Sequence, residues 1–251
     1  MLARVLWTLG YADQAQQRGQ EALTLARQGD HLPTLAYAEY FVGLVCQCRR
    51  DVAATQAHAD AVLALADVHR LALRTEQGRL LQGWALAMQG EAAAGVDHLR
   101  QALTSPDLGP ESLRSYWLAV LAEAYGQAGQ PQAGLQVLAE AVPLMATTEI
   151  RWWEAEVYRL QGELLLQLPH PDVHQAEAAF RRALEVARWQ QAKALELRAA
   201  LSLSRLWQQQ GQREAARALL APLYAWFTEG LDTPDLQEAQ TLLAALAPAG
   251  A

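Results

Sequence analysis

Asparagine is absent from these 251 residues, and lysine occurs once, at Lys193. Without asparagine there is no acceptor for N-glycosylation. Cysteine occurs twice, as Cys46 and Cys48. Two apart on a helix, they point to different sides and cannot readily bridge, so reduced thiols of a cytoplasmic protein are expected. No stretch approaches the ~20 apolar residues of a membrane span, and no secretory leader is expected ahead of the helix at Met1. Basic residues are outnumbered 20 to 27 by acidic ones, a net charge of −7, and form no stripe. An acidic chain repels phosphate, so neither nucleic acid nor an anionic membrane is an expected partner. Strand formers are scarce and never alternate with period two, and no βαβ pattern occurs.

What is abundant is the vocabulary of helices. Hydrophobic residues make up 52% of the chain, yet mean hydropathy is only −0.05, because Ala and Leu are balanced by Gln and Glu. The stretch Leu121–Ala141, LAEAYGQAGQPQAGLQVLAEA, shows the organising unit. Leu121, Ala122 and Tyr125 share a helical face. Gly129 ends that helix and Pro131 starts the next, where a missing N–H is harmless. Leu135, Leu138 and Val142 resume the apolar spacing. So short a hairpin cannot bury its apolar face alone and requires neighbours.

Those neighbours are written along the chain. A small residue seven before each turn recurs as Ala3, Gly43, Gly83, Ala122, Gly162 and Ser204, in steps of 40, 40, 39, 40 and 42. A second ladder marks the following helix: Ala15/Ala22, Ala54/Ala61, Gly95/Ala102, Gly134/Ala141, Ala176/Ala183 and Ala216/Leu223. Two ladders of one period predict an all-α, right-handed superhelical solenoid forming one domain over residues 1–251. Its six hairpins are expected near 1–28, 32–69, 71–104, 112–147, 151–188 and 192–227. The clearest loop between hairpins is Ser105–Pro110. Pro143 and Pro222, late in their helices, should end or kink them.

A last helix, about 233–246, opens with Thr233 as N-cap, Pro234 at the first position and Asp235 near the positive end of the dipole. Asp235, Gln237, Glu238 and Gln240 would give it a wet outer face, as a capping helix requires. The other end, Met1–Leu9, is apolar nearly all round, which leads to the expectation that the chain is a fragment lacking upstream neighbours.

Hairpins with a small residue in the first helix, an aromatic three later (Tyr125, Trp207) and Ala in the second resemble tetratricopeptide repeats, with the period lengthened from about 34 to about 40 residues. Over essentially its whole length, and most strongly from Leu121 onward (Leu121–Ala141, Arg151–Gln167 and Ala176–Leu243), the chain resembles the C-terminal repeat region of bacterial multidomain signalling proteins that carry adenylate/guanylate cyclase-like and P-loop ATPase modules. The resemblance implies a non-catalytic interaction or sensor module. Its partners would be a protein, a peptide or upstream domains of the same polypeptide; the alternative is a free-standing adaptor that binds a partner helix or peptide in its concave groove. There is no GxxxxGK[ST] phosphate loop and no metal-binding aspartate pair in a strand context, so neither the ATPase nor the cyclase activity is expected here, and no cofactor.

No residue constellation argues for catalysis. His170 and His174 flank Asp172, but Pro171 makes this a polar turn. Glu156 and Glu163 share a helical face, two turns apart, too far to work as a proton pair. Eight tryptophans read mostly as packing between helices, and of the adjacent Trp152 and Trp153 only one can face the core. In tetratricopeptide repeats the first helices line the concave side. In that register the resemblance implies a partner-binding groove of Tyr37, Tyr40, Gln77, Trp84, Tyr116, Glu123, Glu156, Arg159, Glu163, Arg198 and Arg205. The clamp by which some such repeats hold a peptide carboxylate uses Lys and Asn, which this chain lacks there.

Overall fold

The computed structural model describes residues 1–29, 31–108 and 113–247. Among them are thirteen α-helices, a 3₁₀ turn at Pro106–Leu108 and no strand. The helices are α1 (Leu2–Thr8), α2 (Ala12–Gln28), α3 (Leu32–Cys48), α4 (Val52–His69), α5 (Ala72–Met88), α6 (Ala92–Thr104) and α7 (Arg114–Gln127). They continue with α8 (Pro131–Thr148), α9 (Glu154–Leu166), α10 (Val173–Trp189), α11 (Lys193–Gln209), α12 (Arg213–Tyr224) and α13 (Pro234–Ala245). The chain is an all-α helical solenoid of six hairpins and a final helix. Gly109 and Pro110, and the start of the fourth hairpin at residue 112, lie outside the described residues.

The small-residue ladders mark where the two helices of a hairpin cross. A Cβ on Gly95 would stand 2.5 Å from the carbonyl oxygen of Gly83, and one on Gly134 would stand 3.0 Å from that of Ala122. In the sixth hairpin the Ser204 hydroxyl donates to the carbonyl of Ala216 at 3.2 Å. In the second, the buried position belongs to Thr55 and not to Ala54. Thr55 is tolerated there because its hydroxyl donates to the Asp51 carbonyl at 2.7 Å, so no polar atom is left unpaired. In the first, Ala22 is exposed and Leu23 is buried in its place.

Five hairpin turns are built alike. The residue after the turn donates its N–H five residues back: Tyr11 to Leu6, Asp51 to Cys46, Glu91 to Leu86, Gln130 to Tyr125 and Gln212 to Trp207. This closure needs a left-handed residue at the turn. Gly10, Gly90, Gly129 and Gly211 supply it, and in the second hairpin Arg50 does so at φ 60°. The fifth turn, through Pro169 and Pro171, is longer, and Asp172 caps α10 by accepting from Gln175 N at 2.9 Å.

The odd-numbered helices α1 to α11 form an inner layer and the even-numbered α2 to α12 an outer one. The asymmetry is large: α11 buries thirteen of its 17 residues, whereas α4 buries four of 18. Pro143 and Pro222 sit on the outer layer, and α8 and α12 run through both. Of the expectation that each proline ends or kinks its helix, the first half does not hold: neither helix stops at its proline. Both prolines and the residues four before them, Ala139 and Ala218, are exposed, so water satisfies the carbonyls that lose a partner.

The inner layer has filled its own axis. Trp7 packs at a tilt against Trp153 with ring centroids 5.7 Å apart, and Trp153 also meets Tyr116 edge-on at 5.0 Å. Trp117 Nε1 donates to the Tyr40 hydroxyl at 3.3 Å, and the Tyr116 hydroxyl donates to Gln47. Each buried aromatic contributes roughly 2–3 kcal/mol by area. Trp152 stays half-buried, stacked on Tyr116 and covered by Arg4 at 4.4 Å. Trp189 packs against little, at 80% exposure.

The first and last hairpins touch. The amides of Asp13 and Gln14, at the start of α2, donate to Glu229 Oε1 at 3.1 and 3.2 Å. Gly230 N returns a bond to Asp13 at 3.0 Å.

Candidate functional site

One row of alternating charges crosses the inner layer. Trp84 Nε1 donates to Glu123 at 3.1 Å, and Glu123 meets Arg50 at 3.0 Å. Arg50 lies 3.4 Å from Asp235, which pairs with Arg198 at 2.8 Å. Arg198 reaches Glu156 at 3.6 Å, and Glu156 pairs with Arg159 at 2.8 Å. Arg159 meets Glu163 at 3.2 Å; Glu163 lies 3.6 Å from Arg205, which ends the row on Glu238 at 2.6 Å. Ser202 adds a hydroxyl bond to Glu163 at 2.5 Å.

Burial decides how this row behaves. Glu156, Arg159 and Arg198 are almost fully buried. Burial alone would push the Glu156 carboxyl up; the guanidiniums of Arg159 and Arg198 outweigh it and hold its pKa down at about 2. For the two arginines burial works against the charge, and Glu156 with Asp235 and Glu163 raises them above their ordinary value. The outer end is wetter, with the Arg205 and Glu238 side chains 40% and 45% exposed.

Beside that outer end lies a pocket of about 210 Å³, lined by four arginines (50, 159, 198, 205), four carboxylates (Glu123, Glu163, Asp235, Glu238), Gln127, Gln167 and a few aliphatic groups. Among the described residues Arg50 Nε and Arg205 Nε are buried donors without a hydrogen-bond partner. The volume suits one inserted side chain or a small polar group, not a length of extended peptide. Every carboxylate of the row faces a guanidinium, an arrangement that holds charge in place and suits recognition better than proton transfer. The two thiols are protonated near neutral pH, burial pushing Cys46 up to about 11 and Cys48 to about 12.

Of the eleven residues expected to line a groove, Glu123, Arg159, Glu163, Arg198 and Arg205 line this pocket. Glu156 lies behind them, and Trp84 touches them through Glu123. Tyr40 and Tyr116 are in the aromatic core, 1% and 0% exposed. Tyr37 and Gln77 stand apart with Arg74, which lies 4.9 Å over the Tyr37 ring and donates to Gln77.

Arg50, Asp235 and Glu238 belong to the site and were not expected, because the repeat register considered only first helices. Arg50 had a signal: it stands where four other hairpins have glycine. Asp235 was expected on the wet face of the last helix, and it turns inward to two arginines. Thr233 stands at the N-cap of that helix as expected, but its hydroxyl donates to the Gly230 carbonyl at 2.6 Å and makes no capping bond.

No protein-family model matches this sequence, and no curated protein does. Among solved structures the chain is similar to the TPR2AB-domain:pHSP90 complex of yeast Sti1. The identity is 13%, over 98% of this chain and 96% of that one, with a TM-score of 0.41. A likeness that loose transfers no residue and no partner to this chain.

Proposed function

We propose that this chain is a non-catalytic interaction and sensor module that recognises a protein or peptide partner through the charged pocket on its inner face. The observation that carries the reading is the convergence of four arginines and four carboxylates from the second, fourth, fifth and sixth hairpins and the last helix on one pocket. The guanidinium of Arg205, 40% exposed at the outer end of the row, favours a partner that inserts an acceptor-bearing side chain, a carboxylate or an amide. Such a group competes with Glu163 and Glu238 for Arg205, loosens the last helix from the fifth hairpin, and so changes the curvature of the solenoid. The wider setting, a bacterial signalling protein with ATPase or cyclase-like modules, is supported by the resemblance of the sequence from Leu121 onward.

The test is affinity capture with the purified chain and its Arg205→Glu variant, followed by titration of whatever the wild type retains. Arg205 bridges Glu163 and Glu238, so the urea midpoint of the variant is measured first and binding is compared where both chains are folded. Loss of the captured partner on reversal supports the pocket. Equal binding by the variant would refute it.

A further inference from the structure

The deeper guanidiniums of the charged pocket are already engaged. Arg159 gives its Nε and Nη2 to Glu156 and its Nη1 to Glu163. Arg198 gives its Nε to Asp235 and its Nη2 to the Cys48 carbonyl. Arg50 gives its Nη2 to Glu123. Arg205, the most exposed of the four, holds Glu238 with one nitrogen and lies 3.6 Å from Glu163 with another.

Acceptors, by contrast, are left over at the outer end. Glu163 takes Arg159, Ser202 and the more distant Arg205 on one oxygen, Oε1. Glu238 takes Arg205 on its Oε1. Among the described residues the Oε2 atoms of both glutamates have no hydrogen-bond partner, and the two side chains are 25% and 45% exposed. One helical turn beyond Glu123 and Glu163, on the same faces, stand Gln127 and Gln167, both exposed and both lining the pocket.

The outer end therefore offers a donor group set between two open acceptors. The charge around it is nearly balanced: four arginines face four carboxylates in the wall, and Glu156 behind it makes a fifth. A carboxylate reaching Arg205 would come up against Glu163 and Glu238, which lie 3.6 and 2.6 Å from that guanidinium. A cation reaching the two glutamates would come up against Arg205. A primary carboxamide meets both signs without carrying charge, since its oxygen accepts and its NH2 donates twice. Leu160, Leu164 and Leu201 supply an apolar wall for the methylenes behind such a group.

We infer that the group this pocket recognises is the carboxamide of a partner's glutamine side chain, its oxygen accepting from Arg205 and its NH2 donating to Oε2 of Glu163 and Glu238. This narrows the carboxylate or amide of the proposed function to the amide, and it rests on that reading of the pocket.

The probe is a blocked peptide, acetyl-Ala-Ala-Gln-Ala-Ala-N-methylamide, with counterparts that carry Glu, Lys or Leu at the central position. Each is titrated into the full chain labelled with nitrogen-15. The side-chain NH2 signals of Gln127 and Gln167, assigned through Gln127→Ala and Gln167→Ala, read occupancy. The glutamine peptide should saturate at roughly millimolar concentration, as one inserted side chain would. The other three should bind at least about tenfold more weakly. Glu238→Gln removes one repelling carboxylate and should bring the glutamate peptide to within about threefold of the glutamine peptide. Equal or better binding of any counterpart at the same signals overturns the inference and leaves the pocket as the recognition site. An unchanged gap in Glu238→Gln overturns it too. If no peptide moves those signals, the inference and the proposed pocket fall together.

Discussion

Arg198, in α11, donates to the backbone carbonyl of Cys48 at the end of α3, 150 residues earlier in the chain. The same guanidinium holds Asp235 and lies near Glu156, with the Trp7 ring 5.0 Å away. One side chain therefore joins the first, second, fifth and sixth hairpins and the last helix.

Arg198→Met should accordingly be among the most damaging single changes. It removes a buried cation and leaves the Cys48 carbonyl and part of two carboxylates uncompensated, a loss of about 3–5 kcal/mol. Urea unfolding monitored by tryptophan fluorescence measures it. A cost below about 1 kcal/mol would show that the contact is incidental.

The acid limb of the stability curve should belong largely to Glu156. Its folded pKa, about 2, lies below the ordinary glutamate value of 4.5. In that window the unfolded chain binds the extra proton, so this contribution is complete above pH 4.5 and is lost as pH falls towards 2. It is on the order of 3 kcal/mol. Glu39, lowered by His58 and Arg27 against burial, acts in the same direction. Glu156→Gln should be less stable at neutral pH and should flatten the slope between pH 4.5 and 2. A wild-type slope in that variant would place the acid sensitivity elsewhere.

Two glycines separate crowding from backbone strain. At Gly95 a methyl group would meet the Gly83 carbonyl at 2.5 Å and Ala87 N at 2.8 Å. Backbone atoms cannot swing aside, so Gly95→Ala should cost about 3 kcal/mol, the top of the usual overpacking range. Gly90 has open space around it but φ 98°. Gly90→Ala should cost only about 1–2 kcal/mol, from the left-handed conformation alone. Thermal unfolding of the two variants gives the ranking, and the reverse order would contradict the crossing described here.

The contact of Glu229 with the first turn of α2 should be visible in hydrogen exchange. Glu229→Ala removes the acceptor of the Asp13 and Gln14 amides. Those two amides should exchange faster, with a stability loss of about 1 kcal/mol, as for a lost helix cap. Unchanged exchange would mean that Gly230 and Asp13 suffice to hold the ends together.

The hairpins were legible because their signals are local. A glycine or proline fixes every turn but the second, which Arg50 makes, and a small residue marks most of the crossings within a hairpin. Thr55 shows the limit of that reading: an alanine lay beside it, and only the hydroxyl bond to Asp51 reveals why threonine holds the place. The charged row was half legible. Glu123, Arg159, Glu163, Arg198 and Arg205 follow from the period, since one face repeats every hairpin. Arg50 and Asp235 do not, because they lie in a turn and in the last helix, and meet only when distant hairpins come together. Nor could periodicity show that Tyr40, Trp84 and Tyr116 would close the middle of the groove. The curvature that brings them together is set by the sum of all the helix crossings, and no single repeat encodes it.

The bonds from Asp13 and Gln14 to Glu229 bear on how such a chain can change over generations. An open array tolerates duplication or loss of a unit, because each unit answers only to its neighbours. Here an inserted hairpin would carry Glu229 away from α2 and Arg198 away from Cys48 at once, however well it stacked. The number of hairpins between these contacts is thus fixed by geometry, and new lengths within that span would have to arise at the turns, as the two extra residues around Pro169 and Pro171 already illustrate.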